Sequence, residues 1–183
     1  RVIGIEPASL VTKSLVREVK TDDTGCFQSA LNPGLTKIAV IERHKRTGKL
    51  GIGILEGYGL TGGAIATTIS HDSHNIVVAG DNDPDMLLAV RELADMGGGI
   101  VSVHGGAIRR LPLPIAGLMT SADPQEVNAV LHDMLVAARA ELGIPEDVEP
   151  FMTLSFMALP VIPELKLTAR GLFNVNTFSF VGV

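Results

Sequence analysis

The sequence predicts a mixed α/β domain, read as α+β. A strand-rich first half leads into a β-α-β unit and a second long helix, packed together on one mixed sheet. Three observations carry this. Short β-branched runs dominate the first eighty residues. Two later segments change to a helical period behind proline-bearing starts. Glycine is frequent, 20 of 183 residues, while aromatics are only 4%, a balance that favours tight turns and close backbone approaches over a helical bundle.

Taken in order, Val2-Ile3-Gly4-Ile5 reads as a short strand. Val11 to Val19, where β-branched residues mix with charges, reads as an exposed one. TDDTGC (21 to 26) and Asn32-Pro33-Gly34 are turns. Leu35 to Ile41 and Ile52 to Leu55 are strands flanking ERHKRTGKLG, a charged, hairpin-like loop. The glycine-rich GYGLTGGAIATT then leads into ISHDSHN, and Asn75 to Ala79 is a continuous apolar strand. Asp83 with Pro84 marks a helix start, a capping side chain before proline at the first position. Met86, Leu87, Val90, Leu93 and Ala94 share one face of that helix. Gly97-Gly98-Gly99 ends it and Ile100 to Val103 is the next strand, which makes the two flanking strands candidates for a parallel arrangement. Asp123-Pro124-Gln125-Glu126 has the form of a capping box. Behind it Val127, Val130, Leu131, Met134, Leu135, Ala138 and Leu142 hold helical spacing up to Gly143. Pro160 and Pro163 break the apolar C-terminal part, which reads as a short helix or strand followed by an extended tail. Residues 1–183 are expected to form one unit without repeats or linkers. A start on Arg1, with no methionine before a strand, suggests a piece of a longer protein.

Composition bounds the function classes. A net charge of −5 with few aromatics disfavours nucleic acid and anionic membranes as partners. No apolar stretch approaches the ~20 residues of a membrane helix, and no signal peptide is legible. Cys26 alone cannot form an internal disulfide, so a cytoplasmic setting is expected.

His71-Asp72-Ser73-His74-Asn75 is the densest polar cluster. Its donors suit a metal or a proton shuttle, yet on a strand residues 71 and 74 face opposite sides, so only a turn or helix lets both meet one ion. A polar turn satisfying backbone groups at a domain or subunit contact is the stronger reading, with His71, Asp72 and His74 as a weaker metal alternative. Asp81, Asp83, Asp85 and Glu92 imitate calcium-loop spacing, but Met86 stands where glycine is required and Pro84 starts a helix. Arg43, His44, Lys45, Arg46 and Lys49 form a basic loop, read as a solvated tip or a contact for an acidic neighbour. The glycines match no phosphate-binding pattern, and no nucleophile elbow is present.

Several strings in order, KIAVIERHKRTGKLGIGILEGYGL, GAIATTISHDSHNIVVAGDNDPDM, GGGIVSVHGG, LPLPIAGLMT and PFMTLSFMALPVIPELKLTARGL, resemble the C-terminal domain of adenine deaminases of the amidohydrolase superfamily. The resemblance implies a parent hydrolase that converts adenine to hypoxanthine and ammonia in purine salvage. A pair of divalent metals, manganese or iron, would lie in an N-terminal barrel, where a metal-activated hydroxide attacks the purine. This chain has no His-x-His pair and no room for an eight-stranded barrel of ~250 residues. No catalytic residue, metal ligand or cofactor is therefore expected within it. The implied role is docking on that barrel, homo-oligomerisation, or both. Glu42, Arg43, His44 and His71, Asp72, Ser73, His74 and Asn75 are the candidates for barrel- or subunit-facing contacts. The alternative is a stand-alone small-ligand or metal-binding module centred on HDSHN. Asn174 departs from the resemblance, standing where an acid is common.

Overall fold

A computed structural model describes residues 1–183. Eight strands form one sheet in the order β2-β1-β4-β3-β6-β5-β7-β8: β1 (Val2–Ile5), β2 (Thr12–Leu15), β3 (Leu35–Ile41), β4 (Leu50–Glu56), β5 (Gly63–Thr67), β6 (Ile76–Gly80), β7 (Gly99–His104) and β8 (Ala107–Pro112). Only β1 and β4 pair in parallel. Helix α1 (Asp83–Asp95) covers one face, and α2 (Pro124–Ala140) and α3 (Pro150–Phe156) lie on the other. A second sheet, β11-β10-β9, from β9 (Leu165–Thr168), β10 (Gly171–Asn174) and β11 (Ser179–Phe180), shares that second face.

Strand alternation builds both cores. Ile38, Val40, Ile65, Val77, Ala79 and Ile100 point toward α2, α3 and the small sheet, where they meet Met134, Leu154 and Leu167. Their neighbours Ala39, Ala64, Ala66, Val78 and Val101 point the other way, against Met86, Ala89 and Leu93 of α1. A period of two along each strand is what places alternate residues in different layers. Edge strand β8 uses the same period for charge: Arg109 bonds Glu141 beside α2, while Arg110 bonds Glu92 of α1 on the opposite face.

The mixed α/β class agrees with the sequence reading, and several elements differ in detail. Strands β6 and β7 are parallel, as the β-α-β pattern allows, but β5 lies between them, antiparallel to both. The sequence hides β5 within a glycine-rich run because Gly63 serves a close approach: a Cβ there would lie 2.0 Å from the Val103 carbonyl oxygen. The exposed strand at Val11 to Val19 shortens to Thr12–Leu15. Asn82, not Asp83, caps α1, its side chain accepting from the Asp85 amide at 2.9 Å. Leu87 and Ala94 point outward, and Ala89 takes their place in the core. Asp123 caps α2 by accepting from Gln125, whereas Glu126 makes no reciprocal bond. The tail is no extended segment: beyond α3 it folds into the three-stranded sheet, which replaces the single sheet of the sequence reading. No helix is long and apolar enough to cross a membrane.

Register decides what gathers at each end of the main sheet. Ile41 pairs with Leu50 and with Ile76, so the hairpin loop 42–49 and the turn 71–75 emerge side by side. Gly99 pairs with Pro112 in the same direction, which brings the loop 113–119 to that end as well. β1 runs parallel to β4 with Ile3 opposite Leu55, so Arg1 also points toward it.

Candidate functional site

The polar cluster forms at this end, and Arg43 ties it together. Its Nε donates to the His74 carbonyl at 2.6 Å, and its Nη2 donates to the Ala116 carbonyl at 2.6 Å. One guanidinium therefore links the hairpin, the turn and the 113–119 loop. Gly117 (φ +75) permits this, because a Cβ there would sit 2.6 Å from Nη2. Partial burial lowers the Arg43 pKa by disfavouring the charged form. Thr68 closes the far side, its hydroxyl donating to the Gly117 carbonyl at 2.6 Å and accepting from the Gly99 amide at 2.8 Å.

Glu42 caps its own loop. Its carboxylate accepts from the backbone amides of His44, Lys45 and Thr47 at 2.6, 2.7 and 3.1 Å and from the Thr47 hydroxyl at 2.9 Å. The bond from the Thr47 amide leads in lowering its pKa to about 2, against the opposing effect of desolvation. His44 Nε2 lies 2.8 Å from the Ser73 carbonyl oxygen. The Arg43 amide reaches Asn75 Oδ1 at 3.4 Å, and the Asn75 amide reaches Ser73 Oγ at 3.5 Å. Main-chain satisfaction thus occupies most of the polar side chains in the hairpin and turn.

HDSHN forms a turn, so both imidazoles reach one side. Their centroids are 6.0 Å apart, and His71 packs on Phe156 of α3 at 4.5 Å, held by its amide donating to the Ser155 carbonyl at 3.1 Å. His74, with φ +49, has a buried Nδ1 without a partner. Burial is the largest influence lowering its pKa, reinforced by His71, Arg43 and His44 and opposed by Asp72. The ring is therefore held toward its neutral form. No group of three or more His, Cys, Asp or Glu side chains is arranged to hold a metal. These donors do not fit the metal pair that the resemblance implies.

Asp72, Ser73 and Asn75 turn toward a different space, a groove of about 860 Å³ between the 42–49 hairpin and the small sheet. His44, Lys45 and Lys49 line one wall and Arg170, Phe173, Phe178 and Phe180 the other. The three rings meet edge to face at centroid distances of 5.3 and 5.2 Å, and Arg170 sits 4.8 Å over Phe180. All eight residues singled out in the sequence lie at one end of the sheet, but they divide into three parts: a hairpin brace, an imidazole pair on α3, and a groove wall. The aromatic wall was not foreseen. Its signal, three phenylalanines in the last eleven residues, is legible only once the tail is known to fold back. The acids of the calcium-like spacing disperse: Asp81 accepts from Gly63, Asp83 pairs with Lys37, Asp85 bonds Asn82 and Glu92 pairs with Arg110.

Comparison with known proteins gives one consistent result. Residues 9–179 match the model of the family described as adenine deaminase C-terminal domain. The chain is 60% identical over its whole length to an adenine deaminase of Nitratidesulfovibrio vulgaris and 50% identical to adenine deaminase 2 of Carboxydothermus hydrogenoformans. To an adenine deaminase of Clostridium acetobutylicum it is 46% identical over 98% of its length. It spans 32% of the length of each of these relatives.

Proposed function

The chain belongs to the adenine deaminase C-terminal domain family, and from that premise we propose that it is the C-terminal domain of a longer enzyme that hydrolyses adenine to hypoxanthine and ammonia. The observation that carries this reading is the 60% identity over the full chain to one third of an adenine deaminase. Identity at that level exceeds the buried third of the chain, so it reaches beyond the core and speaks for the same domain in the same setting. The metal pair, manganese or iron, belongs in this reading to the N-terminal region, since the chain offers no converging set of donors. Purine salvage in the cytoplasm is the accompanying role, in keeping with a lone cysteine.

Within the enzyme the domain acts by docking. The Arg43 brace gives the hairpin, the turn and the 113–119 loop fixed relative positions, so this end of the sheet can present a defined surface to the N-terminal region. The second reading, a module that binds a small ligand or metal at HDSHN on its own, has the groove beside Asp72 and Ser73 in its favour. One experiment separates the two. The full polypeptide and this chain alone are assayed for loss of adenine absorbance and for ammonia release, with bound metal measured on both. Conversion and metal are expected in the full polypeptide only. Adenine conversion by the chain alone would overturn the assignment of catalysis to the N-terminal region.

A further inference from the structure

Strand β1 stops short of the neighbour it pairs with. It meets β4 only through Ile3 opposite Leu55 and Gly4 opposite Glu56, so the register carries Arg1 to the level of Gly53. Leu50 to Ile52 of β4 lie beyond it, with β3 on one side and no strand on the other. β2 does not fill the place. Its pairing with β1 ends at Leu15 opposite Val2, and Val16 is 70% exposed.

Register also decides which backbone groups face the open side. In an antiparallel ladder successive residues turn amide and carbonyl alternately to one neighbour and to the other. The Glu42 amide donates to the Lys49 carbonyl at 3.0 Å, and Ile41 stands opposite Leu50. Gly51 and Gly53 therefore face β3, whereas Leu50 and Ile52 turn both groups outward. No turn or loop hydrogen bond of the backbone reaches those groups. Their side chains point away from the small sheet, which packs on Gly51 and Gly53, and are 51% and 49% exposed. An open edge with two bare aliphatic side chains beside it is a feature that folded proteins cover.

We propose that the segment of polypeptide immediately upstream of Arg1 continues β1 as a parallel strand along this edge of β4. The inference rests on the reading of this chain as a C-terminal domain. In the relatives about two thirds of the polypeptide lies outside the matched segment, and the matched family is a C-terminal domain, so that region leads into β1. With the register of Ile3 and Leu55 kept, the first position before Arg1 stands opposite Ile52 and the third opposite Leu50. The Arg1 amide then donates to the Ile52 carbonyl, and the carbonyl of the second position accepts from the Ile52 amide. Opposed side chains share a face, so the first and third positions cover Ile52 and Leu50. A strand continued from β1 is already in register and orders only its own residues, whereas a strand from a second copy also loses translational and rotational freedom. Three residues span roughly 10 Å at strand rise. They deliver the upstream chain beside Lys49, at the end of the sheet that carries the hairpin, the turn and Arg43, so the tether arrives where the docking surface lies.

The test uses the full polypeptide with Cys26, which is exposed and free, replaced by serine. Ile52→Cys is combined in turn with cysteine at the first and at the second position before Arg1, and the folded protein is oxidised. Opposed positions on adjacent strands lie about 4.8 Å apart, within the range a disulfide spans, whereas the second position points to the other face. The proposal expects the first position to cross-link at least about five-fold more than the second. Equal yields, or none from either, would overturn it. Cross-links that join two molecules, seen as a covalent dimer, would assign the edge to a second copy and overturn it as well. Hydrogen exchange gives a readout without cysteines: the Ile52 amide should exchange at least about ten-fold more slowly than a free amide, and exchange at the free rate would refute the strand. Adenine conversion is measured on the same polypeptide. The expected cross-link without conversion would sink the deaminase reading and leave the strand standing, whereas conversion without the cross-link would sink the strand alone.

Discussion

Replacing Lys166 by methionine should change how stability depends on pH, and the size of the change follows from where the lysine sits. Lys166 lies in β9 between Leu165 and Leu167 and is fully buried. Its Nζ has one hydrogen-bond partner, the Leu10 carbonyl at 2.8 Å, and no carboxylate in contact. Desolvation lowers its pKa from the ordinary 10.5 to about 8. A drop of that size corresponds to roughly 3 kcal/mol of preference for the neutral form in the folded state. Between about pH 8 and 10.5 the unfolded chain holds a proton that the folded chain has released, so stability from this group rises with pH. It is complete above 10.5 and lost as pH falls through about 8. Lys166→Met removes the titration and also leaves the Leu10 carbonyl without its donor, at a cost of about 1 kcal/mol that does not vary with pH. Urea unfolding of both proteins from pH 7.5 to 10.5 gives the difference directly, and other titrations common to both, including that of the buried Tyr58, cancel. Wild type should gain roughly 3 kcal/mol relative to the variant across that range. A flat difference would refute the reasoning, because it would mean that water or a conformational opening solvates the ammonium in the folded state.

Other perturbations test the braces. Arg43→Ala leaves the His74 and Ala116 carbonyls unpaired and should cost about 1–3 kcal/mol by urea unfolding, and Arg43→Lys, unable to span both acceptors, should recover little of it. Glu42 has a depressed pKa, so its contribution is present above the ordinary carboxylate range and is lost as pH falls through about 2. Acid titration should therefore show Glu42→Gln with a flatter stability profile than wild type below pH 4.5. Gly51→Ala would put a Cβ 2.0 Å from the Thr168 carbonyl oxygen, forcing the small sheet off β4. It should cost about 1–3 kcal/mol, and an unchanged urea midpoint would show that the two sheets are less tightly packed than described.

What the sequence determined by itself was local or compositional. Leu35 to Ile41 read as a strand and is one, because its apolar run is bounded by turn residues on both sides. Both long helices announced themselves through a polar residue followed by proline, Asp83-Pro84 and Asp123-Pro124, although the side chain that caps α1 is that of Asn82, one residue earlier. The ordered family strings carried the family, a match that no residue pattern of known chemistry would have supplied. Tertiary structure decided everything that depends on which strand lies beside which. β5 and β8 escaped notice because glycines and arginines mask their period, and only neighbours such as Val103, Glu92 and Glu141 give those residues their purpose. Arg43 read as part of a basic loop, a solvated tip or a contact for an acidic neighbour, and as a candidate for barrel- or subunit-facing contacts; its bonds to His74 and Ala116 were not legible, because those acceptors are 31 and 73 residues away along the chain. Spacing on α2 showed an apolar stripe and could not show which layer receives it: Val127, Leu131, Met134 and Ala138 pack on the core shared with α3 and the small sheet. Helical period is a property of sequence, whereas the surface that covers it is a property of the fold.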